Sequence, residues 1–208
     1  MRSADEPSDL TARALIRDRA LELFAAHGVD AVTVRAIAAA AGVSPALVLH
    51  HFGSKEGLRA AVDAHVAGLF DDMLARMAED PGMLTEGRAT ASFSELMLGY
   101  LPPGSALPAY LRRLLLGGEP AGLELFRRWF ALTLAVTEQL AAAGVMRPTD
   151  DPAVRAAFLL VNDLALVLLR DQVADVLGVD PLTPGGMGRW AADAVAAYTH
   201  GVFIPEAP

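Results

Sequence analysis

Ser44-Pro45, Asp151-Pro152 and Thr183-Pro184 each place a side chain able to cap a helix directly before a proline. Proline's fixed φ suits the first helical position, where its missing N–H costs nothing, and the preceding side-chain oxygen can accept from the first turn. Glu119-Pro120 is a weaker copy of the same signal. Breaks fall at Gly28, Gly42, Gly53, Pro81-Gly82, Pro102-Pro103-Gly104, Gly117-Gly118, 144–148 and 178–181. Between them apolar residues recur at helical spacing, and no segment alternates convincingly with period two, so the fold class is all-α. Cutting at the breaks predicts about nine helices, at roughly 10–27, 33–40, 44–51, 54–78, 89–100, 106–116, 120–143, 151–177 and 184–202. Residues 1–53 then form a compact three-helix N-terminal domain. The helix over 54–78 links it to a larger C-terminal helical domain, 54–208.

At 208 residues, 53% hydrophobic and 20% charged, the chain can bury a sizeable core and is globular. It has no cysteine, which excludes a disulfide framework, thiolate metal ligation and a cysteine nucleophile. The opening MRSADEPSDL carries three acids and no apolar core, unlike a secretory signal. Uncharged stretches such as Trp129 to Thr137 fall well short of the roughly 18 apolar residues a membrane span needs. A soluble, cytoplasmic protein without membrane association is the expectation. The net charge of −8 is unevenly spread. Residues 10–60 hold six basic and four acidic side chains, whereas 61–208 hold 10 basic and 18 acidic. Only the N-terminal quarter could meet phosphates.

In the first helix Ile16, Ala20, Leu23, Phe24 and His27 define one buried stripe. Thr33 can cap the second, whose apolar face is Val34, Ile37, Ala38 and Ala41. Ala38 is small where two helices cross closely, Gly42 follows where the turn requires positive φ, and Val48 plugs the gap between the helices. That is the spacing of a helix-turn-helix. An ordinary αα-corner needs the same small residues for the same packing reasons, so the spacing alone leaves both readings open.

The pieces ALELFAAHGVDAVTV, IAAAAGVS and HHFGSKEGL occur in this order between Arg13 and Leu58, and this stretch resembles the N-terminal domain of TetR/AcrR-family transcriptional regulators. The resemblance covers roughly the first quarter of the chain. It implies that Thr33 is a backbone-contacting cap and that Arg35 meets a base edge or phosphate. Ser44, Pro45, Ala46 and Leu47 would open the recognition helix, whose N-terminal residues face base edges in the major groove. His51 and Lys55 match phosphate contacts; Lys55 is the only lysine in the chain. His50 either packs, is solvated or touches DNA. Leu49 stands where the family commonly has an aromatic residue, usually tyrosine, and leucine cannot donate to phosphate. The side chains at 44–46 are short, so direct reading would rest on thymine methyl contacts together with Arg35. Free N–H groups at the starts of the second and fourth helices can hold phosphate without a cation.

In that family the C-terminal domain binds a small effector and forms a homodimer. Here AFLLVNDLALVLLR, in the 151–177 helix, is apolar almost all round, implying that both faces are buried, one against a cavity and one against a partner subunit. Asn162 and Asp163 interrupt it, as a polar pair at the interface or as a pocket group. Phe158 and Ala165, with Trp190, Ala194, Ala197 and Tyr198 on the last helix, are dimer-interface candidates resembling half of an intermolecular four-helix bundle; an intramolecular core is the ordinary alternative. Pocket candidates are His65, Met73, Met77, Phe93, Met97, Tyr100, Phe126, Trp129, Phe130 and Asn162, which suit a largely apolar ligand. Arg112-Arg113 and Arg127-Arg128 read as solvated faces or partners for the surplus acids.

The leading expectation is a ligand-responsive repressor that binds a palindromic double-stranded DNA operator as a homodimer and is released by a small-molecule effector. The alternative is an all-α small-molecule-binding protein or enzyme on the same scaffold without specific DNA binding. The chain has no phosphate loop, no HExxH, no nucleophile elbow and no carboxylate–histidine clustering, so neither catalysis nor a cofactor or metal is expected.

Overall fold

A computed structural model describes residues 9–79 and 89–200, and all ten regular elements among them are helices. In chain order these are α1 (Asp9–His27), α2 (Val34–Ala41), α3 (Pro45–Phe52), α4 (Lys55–Glu79), α5 (Ala89–Tyr100), α6 (Leu107–Leu116), α7 (Pro120–Ala142), α8 (Pro152–Leu168), α9 (Arg170–Leu177) and α10 (Pro184–His200). The chain forms two compact units.

The first unit holds the chain up to Gly68 together with Ala106–Leu123, so α6 and the start of α7 pack with the N-terminal helices. The sequence-based boundary at residue 53 marks where α3 ends, while the packing unit is wider. Its core is Ile16, Ala20 and Phe24 from α1, Ile37 and Ala38 from α2, Val48 from α3, and Leu58 and Val62 from α4. Leu23 is only half-buried and His27 is exposed, so the stripe ends at Phe24, the last full turn before the chain reverses at Gly28.

α6 joins by burying Leu107, Tyr110, Leu111 and Leu114, spaced as one helical face. Arg113 is neither a solvated face nor a partner for an acid. Its guanidinium donates to the carbonyls of Ala25 at 2.8 Å and Ala26 at 3.1 Å. These lie in the last turn of α1, where carbonyls have no helical partner and a cation is favourably placed. The Tyr110 hydroxyl donates to Asp63 on α4 at 2.6 Å, and Arg59, one turn earlier, pairs with Glu119. Burial pushes the Asp63 carboxyl up, opposed by the Tyr110 hydrogen bond. Gly122 holds α7 against the end of α6: a Cβ there would stand 2.0 Å from the Leu114 carbonyl oxygen.

In the second unit α10 packs on α5, and the residues from Glu124 onward complete α7. Trp129 is fully buried, its ring stacked on Phe70 of α4 with centroids 4.0 Å apart. The helix expected over 151–177 is two helices, bent by 73° between α8 and α9. Leu169 takes φ −105°, ψ 22°, and Arg170 immediately anchors to Asp180 at 2.9 Å, turning α9 away. No glycine or proline marks this break, which is why the sequence concealed it. α8 is also not buried all round. Ala156, Leu160, Leu164 and Val167 face inward, while Val154, Phe158 and Val161 lie exposed on the other side.

Candidate nucleic-acid interface

The short helices α2 and α3 meet at 105°, within the range of a helix-turn-helix. Local chemistry sets that angle. Thr33 accepts from the Ala36 N–H at 3.1 Å and so starts α2. Gly42 ends it at φ +67°, where its N–H reaches the Ala38 and Ala39 carbonyls. Ser44 then accepts from the Leu47 N–H at 3.2 Å and starts α3. Both hydroxyls are engaged as caps. From α3, Val48 alone is driven fully into the core, which leaves the opposite side of that helix outward.

That outward side carries the expected residues. Ser44, Pro45, Ala46 and His50 are exposed, and Leu49 is 44% exposed, which is large for an apolar side chain. Leu47 is half-buried. His51 is also half-buried, with its ring edge-on to His50 and Phe52. Arg35 is exposed on α2, and Arg13 of α1 lies over the Phe52 ring at 5.1 Å. Lys55 is more constrained than a bare phosphate contact. Its ammonium donates to the Val32 carbonyl at 2.9 Å and the Asp30 carbonyl at 3.4 Å, tying the α1–α2 loop to the start of α4. An ammonium has three N–H donors, so one remains. Neighbouring arginines are internally compensated: Arg17 pairs with Asp18, and Arg19 with Glu22.

The pocket candidates separate. Met73 and Met97 are buried with Trp129, and Phe126, Phe130 and Tyr100 are half-buried, the last with Arg76 over its ring at 5.7 Å. The side chains of Met77 and Phe93 lie outside the described residues. His65 belongs to the first unit, where burial and the Arg17 charge lower its pKa. Asn162 donates to the Tyr198 hydroxyl at 2.6 Å, and that hydroxyl donates to Asp163 at 3.2 Å. Tyr198 is 44% exposed, while Asn162 and Asp163 are half-buried. Ala165, Trp190, Ala194 and Ala197 are half-buried. Val154 and Val161, not among the sequence candidates, are exposed on one helical stripe with Phe158. Among the described residues no group of three or more His, Asp and Glu could hold a metal, and no single helix is long and apolar enough to cross a membrane.

A helix-turn-helix with an outward recognition helix, carried on a larger all-helical body, defines a DNA-binding transcriptional regulator. Residues 16–62 match the family model for bacterial regulatory proteins of the tetR family, and residues 105–204 match that for the tetracyclin repressor-like C-terminal domain. The HTH-type transcriptional regulatory protein RaaS of Mycobacterium tuberculosis is 40% identical over 165 residues, spanning 78% of this chain and 70% of the relative. The HTH-type transcriptional repressor KstR2 of Rhodococcus jostii is 39% identical over 88 residues, 42% of either chain. The solved structure of SmeT, the repressor of the Stenotrophomonas maltophilia multidrug efflux pump SmeDEF, superposes with TM-score 0.63 at 25% identity, covering 94% of both chains. A SmeT–triclosan complex also matches, with TM-score 0.61. The chain belongs to the tetR family.

Proposed function

We propose that this chain is a homodimeric repressor that binds a palindromic operator in the bacterial cytoplasm and is released by a small, largely apolar effector held in the second unit. The observation that carries DNA binding is the division of α3: Val48 is fully buried while Pro45, Ala46, Leu49 and His50 project outward, beside an exposed Arg35 on α2. Arg35 supplies the direct hydrogen bonding, Leu49 and Ala46 supply apolar contact to thymine methyls, and Thr33, His51 and Lys55 lie against phosphate.

The exposed stripe of Val154, Phe158 and Val161 supports dimerisation, since contiguous apolar surface of this kind marks an interface. A twofold dimer sets its recognition helices about one DNA turn apart, or a multiple of it, which requires a palindrome. Release follows from continuity along the chain. α4 and α7 each contribute to both units, so an effector that displaces the Met73 end of α4 alters the helix that begins at Lys55. This works only if the effector binds the two conformations with different free energy.

Fluorescence anisotropy tests the proposal, using the DNA upstream of the gene against a scrambled duplex at two salt concentrations. Saturable binding that beats the scramble at the higher salt is expected. Equal, salt-sensitive binding to both would reduce the interface to a weak phosphate contact and favour the non-DNA use of the scaffold.

A further inference from the structure

Two polar atoms in the interior of the second unit have no hydrogen-bond partner. Trp129 on α7 is fully buried against Phe70, yet its indole Nε1–H donates to nothing. Thr133, one turn later and 8% exposed, leaves its Oγ1 unpartnered. The helix does not force this: Thr137, a further turn on, satisfies its hydroxyl against the Leu134 carbonyl at 2.9 Å. Buried polar groups in folded proteins are nearly always paired, because leaving one unmade forfeits its hydration without return. Positions four apart on a helix share a face, so Trp129 and Thr133 lie on the same side of α7.

A third orphan lies on α4, within a charge-balanced pair. Asp71 follows Phe70 on α4, and one of its carboxylate oxygens pairs with Arg128, the residue before Trp129. The other oxygen is buried and unpartnered. Arg128 balances that carboxylate, so the pair offers no net positive charge to hold an anionic group. A neutral oxygen with two lone pairs needs no cation, and it could accept from an N–H and an O–H together.

We propose that Trp129 and Thr133 form the polar end of the effector site and receive a neutral carbonyl oxygen on an otherwise apolar molecule. This rests on the reading of the second unit as the effector domain and adds the chemical class of its ligand. Phe70, stacked on Trp129, supplies an apolar wall beside it.

The test is calorimetric titration of the full-length protein with three probes of matched chain length: methyl nonyl ketone, undecane and undecanoate. The ketone is expected to bind about tenfold more tightly than either of the others. Thr133→Val, which keeps the shape and removes the hydroxyl, is expected to lower ketone affinity about fivefold and leave undecane unchanged. Trp129→Phe should do the same for the indole donor, with a melting curve of each variant confirming the fold. Equal affinity for ketone and alkane, tighter binding of undecanoate, or a Thr133→Val protein indistinguishable from the parent would overturn the carbonyl assignment. The last result would mean that water occupies the two donors, while the effector domain stands. If none of the three probes binds, the effector reading falls and the assignment with it.

Discussion

Arg35 and Lys55 are both cations of the N-terminal helices, and the folded chain places them differently. Arg35 is exposed on α2, so Arg35→Ala should cost about 1–3 kcal/mol of operator affinity, flatten base preference and leave the melting temperature within a degree or so. Lys55 spends two of its three N–H bonds on the Asp30 and Val32 carbonyls. Lys55→Met should therefore lower both operator affinity and the melting temperature. Anisotropy and calorimetry on the same two proteins separate these outcomes. Asp163 gives a pH signature. Burial pushes its carboxyl up to about 6 from an ordinary value of 3.8, and the Tyr198 hydrogen bond offsets this only in part. The folded protein thus holds that proton more tightly than the unfolded chain between about pH 4 and 6. Stability from this group is greatest at the acid end of that window and declines as pH rises through 6. Asp163→Asn should remove that slope and raise the melting temperature at pH 7.5 by a few degrees, on the order of 1 kcal/mol.

The helices themselves were legible wherever their boundaries are local. Thr33 and Ser44 cap the helices that follow them, and Gly42 takes the positive φ expected of it. The turn could be read because each of these interactions spans only three or four residues. The bend at Leu169 could not, because the anchor is Arg170 reaching Asp180, an interaction closed by the fold rather than by a breaker residue. Gly122 likewise looks like an unremarkable helix residue until α6 arrives beside it. Gly122→Ala places a Cβ 2.0 Å from the Leu114 carbonyl oxygen, so α6 and α7 must separate. A loss of about 2 kcal/mol in urea denaturation is expected, in contrast to the gain alanine normally brings to a helix interior.

For the whole molecule the proposed dimer surface is the outer side of α8. Phe158 is 62% exposed with Val154 and Val161 on the same stripe. Phe158→Arg should leave the protomer folded, weaken self-association by at least about tenfold in sedimentation equilibrium, and reduce operator affinity in step. Dimerisation that persists unchanged would place the interface elsewhere. The all-helical class, the helix-turn-helix and the outward residues of α3 were determined by the sequence itself, because capping, positive φ and helical periodicity are written within a few residues of where they act. The tertiary structure alone decided that α6 packs with the DNA-binding helices, that Arg113 closes the end of α1, that Lys55 holds a loop, and which side of α8 stays bare. Each of these depends on groups more than 20 residues apart or on which of two apolar faces finds a partner, and local pattern carries no record of either.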